Sequence, residues 1–282
     1  MQKPGCLLAL SILFTVCPSF AETQVINVHA LSAAPVLDSF GQDWEGIQAQ
    51  QIPLQPNKTF SQVDVQSVHI KAGYHGEKVY FYFQWSDSEA SLVHKPYVWN
   101  TDSQRYLRGP QREDRLALQF EMEGDYSADW RDSRHFKADM WHWKASRSNP
   151  LGLVHDKYTV HSPNKLLRSS VVQGAAGHSQ YVKRESDAGT KIYTTKRYRK
   201  QADPIMPKYI LNAEVAGSVA DIEAKGRWRE GRWHLEMSRK LNTGHSDDVV
   251  FVPGTSVKGA IAIFEASESD DHGISQTLIF QF

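Results

Sequence analysis

Cysteine is nearly absent from this 282-residue chain, and its two copies, Cys6 and Cys17, both fall within the first 21 residues. Those residues, 1–21, read as an export signal. Lys3 supplies a positive start, Leu7 to Val16 an apolar stretch, and Pro18-Ser19-Phe20-Ala21 the small residues of a cleavage site. Cleavage after Ala21 predicts a mature chain that starts at Glu22, contains no thiol and resides in the periplasm. Disulfides, zinc–thiolate centres and iron–sulfur clusters are thereby excluded, as is a Cys-x-x-Cys-His haem attachment. Neither cysteine sits in a lipobox-like setting, so no lipid anchor is expected.

Long apolar runs are also missing after the signal. A spanning helix needs about 20 apolar residues, so the mature chain is expected not to span a membrane. There is no surplus of charge of one sign: 32 Lys and Arg stand against 32 Asp and Glu, and loss of Lys3 leaves 31 against 32. Nucleic-acid binding, which needs a cationic surface to meet phosphates, is not expected. No internal repeat is visible. Gly-x-Ser-x-Gly, His-Glu-x-x-His and P-loop motifs are absent, which argues against an enzyme. Asp247-Asp248 and Asp270-Asp271 form no EF-hand pattern, so calcium is not expected there.

Aromatics are plentiful, with 8 Trp and 11 Tyr, and the patterning is that of strands. Val65 to Tyr74 and Lys78 to Trp85 alternate with period 2 around the short turn His75-Gly76-Glu77. Further strands are expected at Arg115 to Met122, Tyr209 to Ala216, Asp221 to Trp228, Arg232 to Arg239, Val257 to Glu265 and Ser275 to Phe282. Glu230-Gly231 marks a second hairpin. Ser146 to Pro207 is polar and weakly periodic, and reads as long loops. No window shows a helical stripe. The expected fold is all-β: a single antiparallel β-sandwich over residues 22–282, with long loops and little helix.

The order of motifs resembles the haem-binding domain of the ethylbenzene dehydrogenase gamma subunit and related periplasmic subunits of the DMSO-reductase group. The matching segments are Lys78 to Asp87 (KVYFYFQWSD), Glu113 to Phe120 (EDRLALQF), Ala138 to Ala145 (ADMWHWKA), Gly231 to His234, Arg239 to Leu241, Phe251 to Gly254 and Ala260 to Phe264. Leu37-Asp38 to Trp44 resembles the opening of DOMON and family-9 carbohydrate-binding sandwiches. The resemblance implies a sandwich enclosing one non-covalent haem b, with a methionine and a lysine as axial ligands. The family's lysine falls in a Gly-x-Lys-Ser pattern near the last strand. This chain reads Asp271-His272-Gly273-Ile274-Ser275 there, so His272 is the expected substitute.

The opposite ligand is expected before Trp141, from His135 first, with Met122 and Met140 as alternatives. His142 is a further candidate, as a ligand or as a partner for a propionate or a carbonyl. Trp141 and Trp143 share a face and are expected either to pack on the porphyrin edge or to lie in the core. Lys144 or Arg134 would pair with propionates, although Asp139 and Lys144 equally read as a surface pair. The run Lys196-Arg197-Tyr198-Arg199-Lys200 reads as a solvated loop or as a site for an acidic partner or anionic lipid heads. The expected function is periplasmic electron transfer, with a membrane or c-type cytochrome and a molybdenum oxidoreductase as partners. The alternative is a carbohydrate- or other ligand-binding sandwich without haem.

Overall fold

In a computed structural model of the protein, residues 23–58, 60–173, 177–268 and 270–282 are described, and residues 1–21, expected as an export signal, lie outside them with both cysteines. Ten strands carry the fold: β1 (Ser67–His75), β2 (Lys78–Ser86), β3 (Arg115–Gly124), β4 (Phe136–Lys144), β5 (His155–Ser162), β6 (Ser179–Ser186), β7 (Glu223–Arg229), β8 (Arg232–Lys240), β9 (Ser256–Phe264) and β10 (Leu278–Gln281). Helix among the described residues is limited to three-residue 3-10 turns such as Gln42–Trp44.

The smaller sheet runs β7-β8-β2-β1, and the larger runs β10-β9-β3-β4-β5-β6. Both expected hairpins are present. Gly76 turns β1 into β2 at φ +56°, and Glu230 and Gly231 join β7 to β8 at φ +51° and +74°. Positive φ at both central positions is what a type I′ turn requires. Pairing is antiparallel except at two edges: Val25–Asn27 lies parallel to β10, and His29–Ala30 lies parallel to β1.

The two sheets face each other across an apolar core that includes Ile70, Phe81, Phe83, Trp85, Leu118, Phe120, Trp141, Trp143, Trp233, Leu235 and Ile261. Fully burying each such side chain contributes roughly 1.5–3 kcal/mol, and edge-to-face contacts such as Phe120–Trp141, at 5.4 Å between ring centres, add direction.

The polar stretch from Ser146 to Pro207, expected as loops, contains β5, β6 and the short strands Ser170–Gln173, Tyr193–Thr195 and Ile205–Met206. The physical reason lies in β5, whose sequence His-Asp-Lys-Tyr-Thr-Val-His-Ser buries polar groups on both faces. His155, Asp156, Thr159 and His161 are all at most 7% exposed. With no polar-out, apolar-in contrast, the period-2 signal vanishes. Tyr209 to Ala216 is corrected in the other direction, since only Tyr209–Leu211 is strand.

Candidate functional site

Alternation along β4 sends Asp139, Trp141 and Trp143 into the core between the sheets and Met140, His142 and Lys144 to the outer face of the larger sheet. That outer face carries a cavity. Its floor comes from Arg115, Ala117 and Gln119 of β3, Met140 and His142 of β4, Lys157 and His161 of β5, Arg184 of β6, and Ala260, Ala262 and Phe264 of β9. Ser127, Ala128 and Trp130 on one side and His272 with Ile274 on the other form its walls, around a cavity of about 200 Å³. The space exists because three neighbouring floor positions, Ala117, Ala260 and Ala262, are alanine.

Three histidines line it. Both ring nitrogens of His142 are buried without a hydrogen-bond partner, and so are Nδ1 of His161 and Nδ1 of His272. An unsatisfied buried polar atom costs about 1–3 kcal/mol, so this concentration is expensive without a ligand. Burial holds all three rings neutral: His142 is driven well below the usual histidine range, and His161 and His272 are each pushed down to about 3. A neutral imidazole keeps a lone pair for a metal. His142 stacks on the Phe264 ring at 5.8 Å, and His272 meets the same ring at 4.7 Å. The loop that carries His272 is held by Asn57, whose Oδ1 accepts from His272 N and whose backbone N–H donates to the His272 carbonyl, both at 3.0 Å.

The charge lining the cavity is of one sign. Arg115, Lys157 and Arg184 contribute three cations, and no carboxylate among the described residues lines it. Arg115 lies 4.2 Å above the Phe264 ring and donates to the Ser267 carbonyl at 2.7 Å. Burial pushes the Lys157 ammonium down to about 8. The acids that precede Arg115 act as struts. Asp114 accepts from Trp233 Nε1 at 3.1 Å and from Ser91 N at 2.6 Å, while Glu113 accepts from the backbone of Ser146 and Arg147. Together they lock the start of β3 to the end of β4.

Of the residues expected at the site, the structure brings together His272, His142 and Met140. Trp141 and Trp143 lie on the opposite face, in the core, with their Nε1 atoms donating to Asp139 at 3.3 Å and Asn149 at 3.1 Å; they are not at the cavity edge. Lys144 is buried beside the cavity rather than in it, 2.5 Å from His155 Nδ1 and 3.4 Å from the Tyr193 hydroxyl, so it forms no surface pair with Asp139. Arg134 and His135 are exposed on the turn before β4, and Arg134 is taken up by Asp125 at 2.8 Å. Met122 packs at the edge of the inter-sheet core. Arg115, Lys157, His161 and Arg184 were missed. For Arg115 the signal was present, since Arg115-x-Ala117-x-Gln119 alternates against the apolar Leu116 and Leu118.

A family model described as ethylbenzene dehydrogenase matches residues 41–275. No curated protein matches the chain. Solved structures of similar shape include a protein from Bacteroides uniformis ATCC 8492 provisionally assigned as carbohydrate-binding, 11% identical, covering 91% of each chain at a TM-score of 0.46. A family 9 carbohydrate-binding module from Caldicellulosiruptor kristjanssonii is 10% identical in two complexes. With glucose, 89% of this chain and 85% of that one are covered at a TM-score of 0.39. With cellotriose the shares are 89% and 83%, at 0.38.

Proposed function

The chain belongs to the ethylbenzene dehydrogenase family, and on that premise we propose that its cavity holds one haem b without covalent attachment, and that the protein carries electrons in the periplasm as a subunit or partner of a larger redox complex. The observation that carries this reading is the set of buried, neutral, partnerless histidine nitrogens facing one cavity. They suit an iron, and the surrounding cations suit the carboxylates of a propionate-bearing macrocycle.

His142 and His272 would hold the iron on this reading, with Met140, beside His142 on the floor, as the thioether alternative. Arg115, Lys157 and Arg184 take the propionates. When bound, the haem supplies a one-electron ferric–ferrous couple. The chain's own residues would orient it and exclude water. For a sugar-binding platform, Trp44, Trp85, Trp141, Trp143 and Trp233, each at most 2% exposed, are not available, which leaves Trp99, Trp130 and Trp228.

No helix of the described residues is long and apolar enough to cross a membrane, and docking falls to the surface. Tyr198 packs on Tyr97 at 6.2 Å and on Tyr106 at 5.8 Å. This draws the exposed cations Lys196, Arg197, Arg199 and Lys200 together with Arg105 and Arg108 into one basic lobe. An acidic face on the partner protein would complement it.

Hemin titration followed by a reduced-minus-oxidised visible spectrum tests the reading. The processed protein is expected to bind one hemin with a six-coordinate spectrum, and His142→Ala and His272→Ala are each expected to convert it to five-coordinate or lose it. A colourless wild-type protein, or unchanged spectra in both variants, would overturn the assignment.

A further inference from the structure

On the other face of the same two strands sits a second concentration of charge that the proposed electron-transfer role does not use. Asp139 of β4, Asp156 of β5, Asp187 just beyond β6 and Asp248 in the segment between β8 and β9 are each at most 5% exposed. Carboxylate oxygens of Asp139, Asp156 and Asp248 lie within 4.8 Å of one another. One guanidinium opposes them: Arg239 of β8 donates to Asp139 Oδ2 at 2.6 Å and lies 3.2 Å from Asp248 Oδ1.

Arg239 does not saturate the group. Oδ1 of Asp139, Oδ2 of Asp156 and Oδ1 of Asp248 are buried with no hydrogen-bond donor. Asp187 stands outside that trio and supplies a separate sign of a missing ligand. It is 5% exposed, both its oxygens lack any donor, and its backbone N–H donates to the Asp156 carbonyl at 3.3 Å. Four buried carboxyls face one guanidinium; fully ionised they would carry three negative charges in excess, and without a cation burial raises Asp156, Asp187 and Asp248 toward the protonated form. Isolated buried charges are not tolerated unless paired, neutralised or coordinated.

We propose that Asp139, Asp156, Asp187 and Asp248 form a divalent-cation site of the calcium type, stapling the larger sheet to the segment that follows β8. The donor set is all oxygen, which excludes the softer metals that prefer thiolate or imidazole. Calcium takes six to eight oxygens and accepts bidentate carboxylates, whereas magnesium keeps several of its waters, for which a site this buried has little room. A neighbouring trio of Asp221, His245 and Asp248 shares one member. There, however, His245 and Asp221 already pair at 2.7 Å and His245 is exposed, so Asp248 contributes to the buried group.

The test is thermal unfolding and titration calorimetry on protein stripped with a chelator and then given calcium chloride or magnesium chloride, without hemin, so that its outcome is separate from that of the haem assignment. Calcium is expected to raise the unfolding temperature of the wild type and to bind one ion per chain, with magnesium at least about tenfold weaker. Asp187→Asn keeps the shape and removes one charge; it is expected to fold and to lose the calcium response. Glu185→Gln, on the rim, is expected to keep the response. Absence of any calcium effect on the wild type, or an equal effect on Asp187→Asn, would overturn the proposal.

Discussion

The two faces of β4 and β5 carry buried charge of opposite sign. Outward lie Lys144, Lys157 and three neutral histidines with Arg115 and Arg184 beside them; inward lie Asp139 and Asp156 with Asp187 and Asp248. Consecutive residues, Asp156 and Lys157, belong to different clusters. The comparison teaches that alternation, normally a device for separating apolar from polar, here separates cations from anions through the thickness of one sheet. Each cluster leaves atoms without partners, and the two proposals give each a ligand of its own: an anionic flat group with a metal centre outside, a bare cation inside.

The largest break in that comparison is removal of the single inward guanidinium. Arg239→Leu is expected to cost about 3–5 kcal/mol, as loss of one partner from a buried ion pair does. Urea unfolding would measure it, and a value below about 1 kcal/mol would mean that the carboxyls are not held by Arg239.

A smaller effect separates the faces by pH. The outward His161 and His272 titrate near 3 in the folded chain and near 6.5 unfolded. Their contribution is therefore complete above about 6.5 and is lost as pH falls toward 3. The inward Asp187 and Asp248 are raised by burial to about 8 and about 6, against about 3.9 unfolded. Their contribution is complete below about 4 and is lost as pH rises toward 8. Protein free of metal and haem should thus lose stability in both directions. Asp187→Asn should make the alkaline side alone shallower and His161→Phe the acid side alone, each leaving the share of Asp248 or His272, which unfolding temperatures measured across pH would show. If either substitution flattened both sides, the two clusters would not be separable.

The smallest effect is expected on the rim. Arg134→Ala and His135→Ala touch neither cluster, so each should change stability by no more than about 0.5 kcal/mol and leave the spectrum of hemin-loaded protein unaltered. A changed spectrum would return His135 to the ligand set.

The strands of the smaller sheet were legible because Val68, Ile70 and Ala72 alternate with the less buried Ser67, His69 and Lys71, and both hairpins because Gly76 and Glu230-Gly231 mark tight turns. β5 was not, because a strand that buries charge on both faces has no apolar stripe to read. For the site, the family pattern pointed to His272 and left His142 as a candidate. Trp141 and Trp143 show the limit of that reading: period 2 says that they share a face, not which face. The carboxyl cluster had no local signature, since its four members come from four separate segments and only the fold assembles them.

The parallel pairing of Val25–Asn27 with Leu278–Gln281 has a consequence for timing. The margin of the larger sheet is finished by two stretches that stand far apart in the chain, so it cannot be sealed until everything between them is in place. Contacts this remote in sequence slow acquisition of the native state. Until they form the sheet keeps an open flank, and that final zip is where refolding should stall first.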